Sequence, residues 1–370
     1  MGERVVSRFA RRMDWFLLAC VAVLATYGVL FVGSAQGAES GRLGKQILWI
    51  GLGLVGFVGA VYIDYARLLR HARLLYAAGI ASLLPVLLTR PVNNARSWFD
   101  LGFLKIQPSE FVKLLWILAM ARHLGTQENY KRLAGLWSPL ALTILPVALI
   151  LVQPDLGTAM IFIPAFFAVL YAAGARGAHL AAVGGSGVVL AGVLWGALMH
   201  DYQKRRIAAW LDPSLYQATD AYQMTMARVA IGSGGLTGQG LGRGMLNKLN
   251  YVPVKDTDLI FSVIAEEWGF IGCLGLLVVL GLLVASCLEV ARRTREPQGR
   301  LVVVGVTAIL GFQSLVNLWV AVGLLPTTGL TLPFVSYGGS SMLSSFLGIG
   351  LVVNVGLRQH PTFGPDPFST

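Results

Sequence analysis

YVPVKDTDLIFSVIAEEWG, residues 251–269, stands where a long polar stretch hands over to a hydrophobic run lasting to Val290. Asp256 and Asp258 sit at the threshold of that run, and Glu266 and Glu267 sit inside it. A carboxylate at bilayer depth costs about 2.5–3.5 kcal/mol on insertion scales. Such residues face a cavity, a partner or a substrate rather than lipid. The remainder of the chain has to supply those surroundings.

The chain has 370 residues, of which 55% are hydrophobic and 13% charged. Soluble domains carry about 25% charged residues, so the composition is that of an integral membrane protein. Hydrophobic runs recur to the end of the chain. They predict an all-α polytopic membrane protein with ten transmembrane helices, at about 14–34, 45–63, 72–89, 108–124, 138–152, 156–174, 178–199, 258–290, 301–325 and 337–357. The eighth span is longer than one crossing needs and should tilt or project. Cys20, Cys273 and Cys287 lie in apolar runs and read as small buried hydrophobes. The net charge of +11 sits beside membrane spans. It points to lipid headgroups and topology, not nucleic acid.

More than half of the 29 lysines and arginines fall in the connections that share a side with the N-terminus. Both termini are then cytoplasmic. Residues 1–13 form a basic arm without a cleavable signal peptide, 14–358 a single transmembrane domain, and 359–370 a polar tail. The long segment 200–257, between spans seven and eight, becomes an extracytoplasmic loop. Within it, Ile207–Leu211 and Tyr222–Ile231 read as short amphipathic pieces. The segment 231–244, IGSGGLTGQGLGRG, lacks the βαβ context of a dinucleotide site. A tightly turned loop, or backbone amides offered to a phosphate, both remain open for it.

Five polar clusters fall on the outer side of this topology. Glu110 and Lys113, three apart at the start of span four, share a helix face. They form either a structural ion pair or a phosphate-binding cation with its orienter. Asp155, in QPDLGT (153–158), suits the N-cap of span six or a site at membrane level. Arg96 beside Trp98 can grip a phosphate, or Trp98 can anchor at the headgroups. Ser336, Gly338 and Gly339 open span ten as a backbone pocket or a close packing surface. Asp258 either caps span eight or acts chemically. If span eight is helical from Asp258, Ser262 shares its face while Glu266 and Glu267 point elsewhere. At least one glutamate is then expected to pair with Lys113 or another helix. Converging polar groups beside an outer loop suit a headgroup-processing enzyme or a transporter alike.

The motifs WFDLGFLKIQPSE (98–110), QPDLGT (153–158), LMHDYQKRRIAAWLDP (198–213), AIGSGGLTGQGLG (230–242), DTDLIFSVIAEEWG (256–269) and LPFVSYGGSS (332–341) occur in one order along the chain. Together they resemble the SEDS (shape, elongation, division and sporulation) family, from the first span to about Arg358. The 198–213 segment favours its rod-shape branch over its division branch. The resemblance implies ten membrane helices and a peptidoglycan glycosyltransferase that polymerises lipid II into glycan strands at the outer face of the cytoplasmic (inner) membrane, for cell elongation and shape. It implies lipid II and a growing lipid-linked glycan as substrates, and a class B penicillin-binding protein transpeptidase and other elongasome proteins as partners. No nucleotide is implied.

The essential aspartate of the family maps onto Asp258, which becomes the expected general base for a sugar 4-hydroxyl. Polyprenyl pyrophosphate would leave against Arg96, Lys113, Lys204 and Arg206. Asp256 departs from the family pattern. A second carboxylate there would raise the pKa of Asp258, or let the pair hold a divalent cation such as Mg2+ or Mn2+. The rivals are a precursor flippase and a non-catalytic scaffold for a transpeptidase. A scaffold would tolerate Asp258→Asn.

Overall fold

The computed structural model describes residues 13–36, 41–89, 96–100, 102, 105–126, 132–198, 201–212 and 221–358. The tail at 359–370 and all of the basic arm except Met13 lie outside the described residues. Helices follow the apolar runs: α1 (Trp15–Gln36), α2 (Arg42–Tyr62), the short α3 (Tyr65–Arg70), α4 (Ala72–Val86), α5 (Pro108–Leu124), α6 (Trp137–Val152), α7 (Leu156–Ala172), α8 (Gly177–Leu198), α9 (Asp201–Leu211), α10 (Tyr222–Ser233), α11 (Met245–Lys248), α12 (Ile260–Arg293), α13 (Pro297–Ala321) and α14 (Gly339–Leu357). Two two-residue strands, β1 (Phe99–Asp100) and β2 (Lys105–Ile106), pair antiparallel ahead of α5 and make the one departure from an all-α fold among the described residues.

Among the described residues, six helices are long and apolar enough to cross a membrane, and Ala72–Val86, Leu156–Ala172 and Gly177–Val189 are shorter apolar segments. Burial ranks them. The apolar windows of α13 and α14 are 78% and 83% buried, against 28% for α2, so α13 and α14 form the centre of the bundle. Alpha-13 packs on α12, α7, α5 and α14, and α14 packs along α2. Small residues permit that last approach: a Cβ on Gly350 would meet the Cβ of Ala60 at 2.7 Å, and one on Gly53 would strike the Phe346 ring.

Local chemistry sets the boundaries. Alpha-5 starts at Pro108, whose missing N–H costs nothing in a first turn. Alpha-13 starts at Pro297, four residues before the expected span, because the Glu296 carboxylate caps it by accepting from the Gln298 and Gly299 amides.

The expected continuous eighth span is broken. Gly269 takes φ 62° and ψ −159°, which splits the 34-residue α12 into two helical pieces. The break frees backbone groups, and the glycine-rich loop satisfies them. The Gln239 and Gly240 amides donate to the carbonyls of Glu266 (3.0 Å) and Glu267 (2.9 Å), while the Phe270 and Ile271 amides donate to the carbonyls of Gly235 (2.9 Å) and Leu236 (3.1 Å). Residues 260–267 are all buried, and large exposed apolar side chains begin at Phe270 and Ile271.

The Gly269 conformation is open essentially to glycine alone, and a Cβ there would lie 2.4 Å from the Gly238 nitrogen. Gly269→Ala is expected to lower stability by about 1–3 kcal/mol or more, read as a reduced melting temperature in detergent. Gly281→Ala, on the same helix with open space around it, should leave the melting temperature within error.

Candidate active site

Successive spans alternate in direction. The starts of α2, α5, α7, α12 and α14 therefore collect at one end of the bundle, together with the ends of α1, α4, α6 and α13. Hydrogen bonds stitch this end together. Gln107 Nε2 donates to Asp155 Oδ2 (2.7 Å), the Gln107 amide donates to Ser340 Oγ (2.9 Å), and Ser340 Oγ donates to the Lys105 carbonyl (3.3 Å). The Tyr337 amide donates to the Asp256 carbonyl (2.8 Å), and Ser336 Oγ donates to the Thr257 carbonyl.

Most of the candidate side chains at this end are held by structural partners. Asp155 caps α7 through the Thr158 amide (3.1 Å) and takes Gln107 on its other oxygen. Lys113 is buried and donates to Glu110 Oε1 (2.9 Å) and Gln313 Oε1 (2.8 Å), and Ser344 donates to the other Glu110 oxygen (2.8 Å). Gln313 continues the network to the Thr331 carbonyl (3.0 Å) and Ser341 (3.2 Å). Lys113 is thus locked between α5 and α13, and the geometry does not present it to a pyrophosphate. Ser336 accepts from the Leu332 amide (2.9 Å), and Gly339 lies so close to Trp49 that any Cβ would overlap the indole. Gly338 faces the Thr331 side chain, where a Cβ would come within 3.0 Å of it. Among the described residues these three shape a packing corner.

Neither glutamate meets Lys113, and both meet another helix, the other alternative that the sequence allowed. Glu266 accepts from the Leu246 (2.7 Å) and Asn247 (3.2 Å) amides at the start of α11, and Glu267 accepts from Ser34 and from Asn247 Nδ2 (3.2 Å). Both hold the segment that precedes α12 against it. Of the glycine-rich amides, those of Gln239 and Gly240 are taken up by the break at Gly269.

Asp256 is buried and ion-paired with Arg42 at the start of α2, whose guanidinium also lies over the Tyr337 ring at 5.8 Å. Among the described residues no group of three or more His, Cys, Asp or Glu could hold a metal ion. With Asp256 engaged by Arg42, the Asp256–Asp258 pair does not fit a divalent cation.

Asp258 is different. It precedes α12, which begins at Ile260 with Leu259 at its N-cap and no side-chain cap. Asp258 therefore does not cap the helix, and Ser262, which donates to the Leu259 carbonyl, is not its neighbour on a helical face. Asn317 Nδ2 fixes the turn by donating to the carbonyls of Asp258 (2.9 Å) and Leu330 (2.7 Å). The half-buried carboxyl hydrogen-bonds with Thr257 and lies in the field of Arg206. Burial pushes it up to about 6, Arg206 and the Thr257 hydrogen bond pull it down, and Asp256 adds a smaller upward push.

Arg206 on α9 donates to the Thr327 carbonyl (3.1 Å), and Trp210 docks the same helix by donating to the Gly323 carbonyl (3.0 Å). Lys204, two residues back on α9 and so about 200° around the helix from Arg206, is half-buried. Arg96 is exposed and donates to the Leu87 carbonyl (3.2 Å) at the end of α4, with Trp98 half-buried beside it. The arrangement leaves one carboxyl poised to exchange a proton, with a cation beside it. Sequence reasoning missed Arg42, Gln313 and Asn317. Gln313 and Asn317 carried a readable signal, two amides four residues apart in an otherwise apolar run.

Comparison with known proteins places this geometry. A family model described as Cell cycle protein, covering FtsW, RodA and SpoVE, matches residues 14–360. The chain is 34% identical to the probable peptidoglycan glycosyltransferase FtsW of Trichlorobacter lovleyi, covering 95% of this chain and 96% of that protein. It is also 34% identical to the peptidoglycan glycosyltransferase MrdB of Escherichia coli, covering 93% of each. Among solved structures, a chain of a peptidoglycan synthase complex that coordinates polymerization and crosslinking matches with a TM-score of 0.81 at 34% identity, over 95% of this chain and 99% of that one. Rod shape determining protein RodA of Thermus thermophilus matches with a TM-score of 0.71 at 35% identity, over 95% and 98%.

Removing one member of a buried ion pair strands the other, at a cost of about 3–5 kcal/mol. Lys113→Met should therefore sharply reduce the melting temperature in detergent. The double variant Lys113→Met/Glu110→Gln should recover most of the loss, giving a coupling well above experimental error in a double-mutant cycle.

Proposed function

The chain belongs to the FtsW, RodA and SpoVE family of cell cycle proteins, and we infer that it is a peptidoglycan glycosyltransferase whose general base is Asp258. The observation that carries the assignment is the contrast among the acids at one end of the bundle. Asp155, Asp256, Glu110, Glu266 and Glu267 each hold a helix end, a cation or a loop. Asp258 does none of these and has a carboxyl poised near 6.

The reaction runs at the outer face of the cytoplasmic membrane, on ten crossing helices with both termini inside and residues 200–257 outside. Lipid II and the growing lipid-linked glycan enter from the bilayer. Asp258 accepts the proton from the 4-hydroxyl of the acceptor sugar as that oxygen attacks the anomeric carbon of the donor. The bond from that carbon to polyprenyl pyrophosphate breaks, and the anomeric centre inverts. Arg206, already beside Asp258, faces the leaving charge, with Lys204 on the same helix and Arg96 across the site supporting it. Asn317 positions Asp258 through its backbone carbonyl. The 198–213 segment supports a role in elongation, and the complex formed by a solved relative supports a transpeptidase of the class B penicillin-binding type as partner.

Purified protein, alone and with its transpeptidase blocked at the crosslinking site, should convert labelled lipid II to glycan ladders. Asp258→Asn should abolish them, with a loss of about 100-fold or more expected for a general base. Ladders that persist in Asp258→Asn would sink the assignment, and lipid II crossing liposomes without ladders would favour a flippase. A base must be deprotonated to act, so the wild-type rate should rise with pH through about 6 and level off above it. Arg206 holds the carboxyl down. In Arg206→Ala the acidic limb should therefore move to higher pH.

A further inference from the structure

At the end of the bundle opposite Asp258, a cavity of about 330 Å3 is lined by Tyr65, Leu69 and Arg70 of α3, Arg122 in the last turn of α5, and Glu296 and Gln298 at the start of α13. Among the described residues, neither the Arg70 nor the Arg122 guanidinium has a hydrogen-bond or ion-pair partner. Three arginines at this end are engaged. Arg358 donates to the Val61 and Tyr62 carbonyls, and Arg292 and Arg293 pair with Glu289. The one carboxylate in the cavity wall, Glu296, is already committed to the Gln298 and Gly299 amides. Two arginines therefore face a concave space whose only acid is occupied. Leu69 and the Tyr65 ring supply an apolar wall, and the Gln298 stem lies where a Cβ on Gly125 would overlap it, closing one side.

We propose that this cavity binds the phosphodiester headgroup of an anionic lipid in the leaflet facing it, the cytoplasmic leaflet in the orientation proposed above. Arginine forks match phosphate oxygens in pairs, and basic pockets between helices on the cytoplasmic side suit phospholipid headgroups. The volume is at the lower end of the range for bound small molecules, large enough for a headgroup and too small for acyl chains. The chains have an apolar surface to follow, because Tyr62 and Ile63 at the end of α2 and Leu74 in α4 are exposed next to α3. The site lies apart from the glycosyl-transfer machinery and does not depend on Asp258.

The test uses the full-length protein in mild detergent and native mass spectrometry, with dioleoyl phosphatidylglycerol, dioleoyl phosphatidylcholine or inorganic phosphate as probe. Wild type is expected to retain phosphatidylglycerol over phosphatidylcholine. In Arg70→Gln/Arg122→Gln that preference should fall on the order of tenfold. Arg292→Gln, whose arginine is already paired, should keep it. The double variant should remain monodisperse and polymerise lipid II at the wild-type rate. Should it fail to fold, Arg70→Gln alone, at an exposed position, should still lose part of the preference. A double variant with the wild-type preference overturns the proposal, as does equal retention of the two lipids. Inorganic phosphate bound in place of phosphatidylglycerol would assign the cavity to a soluble anion and overturn the lipid assignment.

Discussion

A charge buried among apolar helices costs several kcal/mol unless a partner and further hydrogen bonds surround it. The Asp258 end of this bundle is built around that requirement. Lys113 and Glu110 bridge α5, α13 and α14 only because Gln313, Ser344 and Ser341 complete their hydrogen bonding. Asp256 can lie buried beside the bundle because Arg42 reaches it from α2. These contacts tie together elements far apart in sequence, so the end of the bundle is fixed as one frame.

Within that frame Asp258 is the exception, and the exception is supported on every side. Asn317 holds its backbone, Asp256 anchors the adjoining turn to α2, and α9 brings Arg206 close enough for its field to act on the carboxyl. A catalytic carboxyl must be held in place and yet remain free to exchange a proton. Here the main chain is held and the side chain is left half-buried, and the two requirements fall on different atoms.

Much of the helical layout was legible, because span boundaries follow from hydrophobicity, Pro108 at a first turn and local caps. The Glu110–Lys113 pair was legible too, since three residues along a helix is a local relation. The pairing of Arg42 with Asp256 was not. It joins residues 214 positions apart, and no local spacing records it. The helical-wheel placement of Ser262 on the face of Asp258 failed for a different reason. It took the helix to begin at Asp258, and the chain becomes helical only at Ile260. Of the two readings left open for the glycine-rich segment, the structure shows the tight turns, with Gly235, Gly238, Gly240 and Gly242 at positive φ. The segment's task, completing the hydrogen bonds of a broken helix, depended on a break that hydropathy does not register.

The break at Gly269 also bears on how the chain enters the bilayer during synthesis. From Phe270 to Val290 the helix rises about 30 Å, the thickness of the hydrocarbon core. That second piece can serve as the membrane-inserting segment by itself. The translocation machinery then never has to partition Glu266 and Glu267 into lipid. The first piece can wait at the surface until the upstream loop, already synthesised, folds down over it. The two glutamates are tolerated in this hydrophobic run because the part that carries them is assembled as protein interior and not delivered as a membrane anchor.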